Sequence, residues 1–221
     1  MVTVPGEWVG APIKEKSRTS DIPGGQRRAH RVVATIAAAT LLLAGAALFG
    51  QGVYLTAKAE IAQVLLARAW SRALEGETAP TPWPWADTWP VARLSVPELG
   101  EHAIVLAEAG GEALAFGPAH LAVSPEPGER GTSIIAAHRD THFAFLRDIE
   151  VGDHVVIERA DGSLQTFQVT HMEVVHAERS GIQPDVGPAR LAMVTCWPFG
   201  ALTPGPERYV VWADAVDSDQ A

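Results

Sequence analysis

Cys196 ends the strand-like run Leu191–Thr195 and is followed at once by Trp197-Pro198. Proline cannot continue a central ladder, so the thiol falls at a strand end, where loops build clefts. It is the chain's one cysteine, which excludes an intramolecular disulfide and a multi-cysteine metal site. A lone cysteine is commonly a small buried hydrophobe, but a strand exit is a poor place for one. To act as a nucleophile the thiol needs a base or cation beside it, or an acid to serve the leaving group.

His138 is the best partner among eight histidines. It closes the apolar run SIIAAH and precedes the charged turn Arg139-Asp140. His142, four residues on, is its rival. His30 belongs to a basic tail, and His102, His120, His154, His171 and His176 read as surface or strand histidines. Arg208 opens the run RYVVWAD. A guanidinium at a strand mouth offers fixed hydrogen bonds to a carbonyl oxygen that becomes an oxyanion. The competing reading of Arg208 is a surface salt bridge with Glu207 or Asp214.

From Val91 onward the chain is a succession of short β-type runs: VARLSV, HAIVLA, TSIIAAH, HVVIER, LQTFQVTHMEVV, RLAMVTC and RYVVWAD. Turn residues separate most of them, at Pro97, Gly110-Gly111, Gly152-Asp153, Asp161-Gly162 and Pro204-Gly205. One or two helical turns are expected over Phe143–Ile149. Seven or eight strands in about 130 residues, mostly at hairpin spacing, predict an all-β closed barrel rather than an open sheet.

What precedes the barrel is different in kind. No residue from Val32 to Gly50 is charged, and the apolar stretch runs to about Leu55. That length suffices for a helix to cross a hydrocarbon core of roughly 30 Å. A cleaved signal peptide is the alternative, with Ala57-Lys58-Ala59 resembling a cleavage site; its apolar region is ordinarily shorter, about 7–15 residues. Arg27, Arg28 and Arg31 directly precede the span and predict a cytoplasmic N-terminus. Residues 1–31 then form a cytoplasmic tail, 32–55 a transmembrane anchor, and 56–81 a helical stalk and linker. The barrel domain occupies 82–217, with a short tail at 218–221. Helix formers without Gly or Pro fill Ala57–Glu75, and Arg68, Arg72 and Glu75 mark a solvated side. Trp83, Trp85 and Trp89 lie in a proline-rich linker as interfacial anchors, a lid over a cleft, or staples onto the barrel. A net charge of −9 argues against a general nucleic-acid binder, which needs a basic face. Glu126 and Glu129 read as solvated charge, so neither metal nor cofactor is expected.

His138, the Thr195-Cys196 pair and Arg208, in that order on late strands or strand ends, resemble the sortase signature. The segments PWPWADTWPVARL (82–94), AAHRDTHFAFL (136–146) and VTCWPFGALTPGPERYVVWADA (194–215) resemble the sortase branch of marine and other Gram-negative proteobacteria, class GN. Ala137 stands where sortases often have Gly before the histidine. The resemblance implies an eight-stranded sortase-type barrel with short helices behind a transmembrane helix, and a cysteine transpeptidase. It implies that Cys196 attacks the threonine carbonyl of an LPXTG-like C-terminal sorting signal on a protein substrate. The thioacyl-enzyme then passes to an amine acceptor, or to water in a hydrolytic relative. His138 is implied as acid and base, Arg208 as oxyanion stabiliser, and Thr195 as a residue that helps to position substrate or oxyanion. The expected location is the inner membrane, single-pass, with the catalytic domain periplasmic. A non-catalytic periplasmic binding barrel is the alternative from outside enzymology.

Overall fold

The computed structural model describes residues 24–216, apart from 109, 111, 112, 185, 186 and 204. The tail before residue 24, the C-terminal tail 218–221 and parts of the turns at Gly110-Gly111 and Pro204-Gly205 lie outside the described residues. The chain divides into two compact units, one up to Tyr54 and one from Leu55 onward.

One helix, α1 (Gly24–Leu74), carries the apolar run. Leu41, Leu42, Leu43, Leu48 and Phe49 on it are all exposed, and this is the one helix among the described residues long and apolar enough to cross a membrane. Residues 32–55 at 1.5 Å rise extend about 36 Å.

In the second unit the end of α1 is not a free stalk. Leu66, Ala69, Trp70 and Ala73 are buried, at the helical spacing that makes one face. Leu66 joins Leu106, Ala113 and Ala119 in an apolar cluster, and Gln63 Nε2 donates to Phe116 O at 2.8 Å. Arg68 is exposed as expected, whereas Arg72 pairs with Glu77 at 3.0 Å and donates to Thr81 O. The linker tryptophans divide their parts. Trp83 packs edge-on against Phe116, with ring centroids 4.9 Å apart, while Trp85 is exposed.

Eight strands follow: β1 (Pro90–Val96), β2 (Glu101–Ala107), β3 (Ala119–His120), β4 (Gly131–Ala136), β5 (His154–Arg159), β6 (Leu164–His176), β7 (Ala189–Cys196) and β8 (Glu207–Ala215). They close a barrel in the order β1-β2-β3-β4-β7-β8-β6-β5. The β2–β3 and β4–β7 pairs are parallel and the others antiparallel. Side chains alternate in and out along each strand, so Ile135, Leu191, Met193 and Val211 fill the interior with Leu94, Ile157 and Phe167. Phe143, Leu146 and Ile149, in and around the 3-10 turn Ala144–Arg147, are buried in the same core. The expected helical turns are there, shorter than an α-helix. The opposite face of β4, β7 and β8 carries a second cluster, Ile134, Ala192, Val210 and Trp212.

Candidate active site

β7 brings Cys196 to the barrel's edge, and β8 begins beside it. Cys196 and Arg208 are register partners on this antiparallel pair. Directly opposed residues have Cβ atoms about 4.5–5.5 Å apart, so thiol and guanidinium are neighbours by the ladder alone. Both residues are half-buried. Arg208 Nη1 donates to Gly205 O and Glu207 O, each at 2.8 Å. No carboxylate pairs with it among the described residues; Asp214 is taken by Arg190. The competing reading, a surface salt bridge with Glu207 or Asp214, is therefore not what holds Arg208. Two carbonyls fix one nitrogen and leave Nε and Nη2 without a partner among the described residues.

β4 runs parallel to β7 and delivers His138 to the same edge. Ala136 is the register partner of Val194, and Ala137 N donates to Val194 O at 3.1 Å. The strand ends at Ala136, two residues earlier than the apolar run suggested, because the chain turns there. His138 O accepts from Phe143 N at 3.1 Å, and the buried Phe143 ring fixes that turn to the core. His138 itself is exposed. Thr195 completes the link: its hydroxyl donates to Ala137 O at 2.7 Å, and the residue is 2% exposed. One step from Cys196 on one strand, and one step from His138 on the other, a buried hydrogen bond joins the two. Thr195 thus faces the interior, and its hydroxyl meets Ala137 O rather than the outward face on which Cys196 lies.

His142 lies on the same turn. Burial lowers its pKa below the ordinary 6.5, a hydrogen bond with the Ala115 backbone opposes this, and the charge of His138 lowers it further. His142 therefore favours the neutral form. His120, read as an ordinary surface or strand histidine, is buried, with Nε2 at 2.8 Å from Pro125 O and 3.0 Å from Ser124 Oγ.

On the outward face a groove of about 340 Å³ runs over β4, β6, β7 and β8. Ile134, Ala136, Val194 and Val210 line it, Ile182 and Pro184 wall it, and Arg208 lies at its end. By strand alternation Cys196 shares the face of Val194, and Arg208 that of Val210. The wall is fastened to β4: Thr132 N donates to Pro184 O at 2.7 Å. Gly131, at φ +100°, allows that approach, since a Cβ there would stand 2.4 Å from Pro184 O. The groove has the shape and the apolar lining for an extended chain, and Arg208 on its lining is the register partner of Cys196.

Two features of the site escaped the sequence. Arg139, read as part of a charged turn, is buried at 6% exposure and bonds to carbonyls of the β7–β8 loop. Its only signal was its place next to His138. Gly131 carried none, because its partner Pro184 is 53 residues away.

Comparison with known proteins agrees with the geometry. The family model described as the sortase domain matches residues 94–216. Sortase D of Bacillus subtilis (strain 168) is 24% identical over 124 residues, 56% of this chain and 62% of that protein's length. Among solved structures, sortase A from Corynebacterium diphtheriae superposes with a TM-score of 0.54 at 25% identity. That match covers 62% of this chain and 65% of the other. Sortase C1 from Streptococcus agalactiae gives 0.53 at 24% identity, over 59% and 69%, a likeness of fold alone. The chain spans less than two thirds of the length of the first two of these relatives. With more than half of its residues matched by the domain model and its eight strands closed into the same barrel, the chain belongs to the sortase family.

Proposed function

We propose that the chain is a membrane-anchored cysteine transpeptidase that cleaves an LPXTG-like C-terminal sorting signal on a protein substrate. The observation that carries this reading is the register pair Cys196–Arg208 at the end of an apolar groove, with His138 tied to the same edge through Thr195. Cys196 Sγ attacks the threonine carbonyl, forming a C–S bond and an oxyanion. Arg208 Nε and Nη2, with a backbone N–H near Cys196, stabilise that oxygen. As the C–N bond breaks, His138 gives its proton to the departing amine. An incoming amine then attacks the thioester, His138 takes its proton, and the thiolate leaves. Water in place of the amine makes the same site a peptidase.

The apolar run 32–55 is the anchor in this reading, with the tail 1–31 cytoplasmic, 56–81 joining anchor to domain, and 82–217 on the periplasmic side of an inner membrane. The basic flank Arg27, Arg28 and Arg31 supports the orientation. Within the family, the resemblance of the segments 82–94, 136–146 and 194–215 to the Gram-negative branch supports reading the chain as a member of it.

The test is an assay of the purified full-length chain on a fluorogenic LPXTG-like peptide, with and without an added amine. Wild type should accumulate a thioacyl-enzyme visible by mass and give amine-dependent product; Cys196→Ala should give neither. Turnover by Cys196→Ala equal to wild type would end the proposal, and product independent of any amine would make the enzyme a peptidase.

A further inference from the structure

The loop between β7 and β8, residues 197–206, leaves the nucleophile and returns at Arg208. Its carbonyls are held from two sides. Arg208 Nη1 takes Gly205 O and Glu207 O at 2.8 Å. Arg139 Nη2, from the turn that follows His138, takes Ala201 O and reaches Thr203 O at 3.4 Å. A second tie lies nearby: Arg147 stacks over the Phe199 ring at 5.5 Å, and Trp197, Phe199 and Tyr209 pack on one another. The loop is thus strung between the His138 turn and the Arg208 guanidinium.

Arg139 is an odd residue to bury for stability. Its side chain is 7% exposed, its one carboxylate neighbour is Asp140 at 3.5 Å on a largely exposed side chain, and Nη1 has no partner among the described residues. Carbonyl dipoles and one solvent-exposed carboxylate return only part of the hydration a guanidinium loses. Ala201 is half-buried and Thr203 exposed, so the loop that Arg139 holds is a surface loop rather than part of the core. What Arg139 supplies is location.

We infer that Arg139 is a positioning residue: by fixing Ala201 O and Thr203 O it sets the loop that carries Gly205 O, and through it the aim of the Arg208 guanidinium at the oxyanion. It touches no substrate. This inference rests on the proposed roles of Cys196 and Arg208. A small displacement of an oxyanion donor is expensive in rate; about 1 Å can cost on the order of 100-fold. The groove walls Ile182 and Pro184 belong to a different loop, so substrate binding is left nearly unchanged.

The experiment measures kcat, KM and Tm on the full-length chain for Arg139→Met, Arg139→Lys, Arg208→Lys and the double variant Arg139→Lys/Arg208→Lys. Arg139→Met, which removes the buried charge and keeps the stem, should hold Tm or raise it while kcat falls roughly 10- to 100-fold with KM nearly constant. Arg139→Lys should recover part of that loss. Because the two arginines act through one loop, the double variant should lose less than the product of the single losses, by at least about threefold. Losses that multiply within about twofold, or a fall in Tm with kcat unchanged, would overturn the inference. If Arg139→Met does not fold, Arg139→Lys and the double variant still decide. Cys196→Ala and Arg208→Lys in the same assay separate the two ideas. If both keep full turnover, the proposed function fails; if both lose it while Arg139 variants do not, only this inference fails.

Discussion

Gly131→Ala tests whether the groove wall is built by a backbone contact. Gly131 sits at φ +100°, and an added Cβ would lie 2.4 Å from Pro184 O and 3.0 Å from Pro125 Cγ. Left-handed backbone costs a residue with a Cβ about 1–2 kcal/mol. Pro184 O must also retreat by at least 0.6 Å to reach 3.0 Å, which breaks the 2.7 Å bond from Thr132 N. Thr132 is 4% exposed, so its N–H loses its partner without gaining water, worth about 1–3 kcal/mol. Together these give a loss of roughly 2–5 kcal/mol. At 2–4 °C per kcal/mol for a domain of this size, Tm should fall by roughly 4–20 °C. Because Pro184 and Ile182 wall the groove, KM for the peptide should rise about tenfold, the scale of a lost methylene contact or two. Near-normal kcat should remain, since Cys196, His138 and Arg208 lie at the other end. Thermal denaturation and steady-state kinetics read both quantities. A variant with unchanged Tm and KM would show that Pro184 is not pinned to Gly131 and that the wall is set elsewhere.

Thr195→Val keeps the shape but strips the donor from Ala137 O, so it should cost about 1–3 kcal/mol in denaturation and lower kcat through misplacement of His138. Equal kcat would detach Thr195 from the site. His138→Ala should abolish nearly all turnover and His142→Ala far less; reversed losses would give the proton-transfer role to His142. Burial lowers the pKa of His142 in the folded chain, so the unfolded chain binds its proton more readily. Stability from this group is therefore complete above about pH 6.5 and declines as pH falls from there through the lowered value, and His142→Gln should flatten that slope. A membrane-impermeant maleimide should label Cys196 in intact spheroplasts, and labelling only after lysis would invert the topology.

The strands were legible because a half-buried ladder writes itself as apolar alternation with turn residues between, and seven of the eight appear as such runs. β3 did not, since two residues carry no period. The end of β7 and the start of β8 were marked by proline and by charge, which put Cys196 at a strand end and Arg208 at a strand mouth; that the two are register partners came only with the structure. The end of β4 was misjudged by two residues because Ala137 is as apolar as the strand it leaves and still bonds to Val194. What sequence could not supply were facts made by distant partners: the inward hydroxyl of Thr195, the carbonyls that bury Arg139, and the seat of Leu66 against the barrel. Each depends on residues about 40 or more positions away, beyond any local pattern.

The pairing of β4 with β7 bears on when the proposed site becomes complete during folding. Cys196 and Arg208 face each other across a hairpin only twelve residues apart, the sort of contact that forms early. His138 joins them through a parallel ladder whose partners are 58 positions apart, and such non-local pairing is slow because a long loop must close first. In the proposed mechanism, a chain whose barrel has not yet closed therefore holds Cys196 beside Arg208 without His138. On that reading the site is complete only once the β4–β7 ladder has formed, so closure of the sheet itself delays the chemistry until the fold is in place.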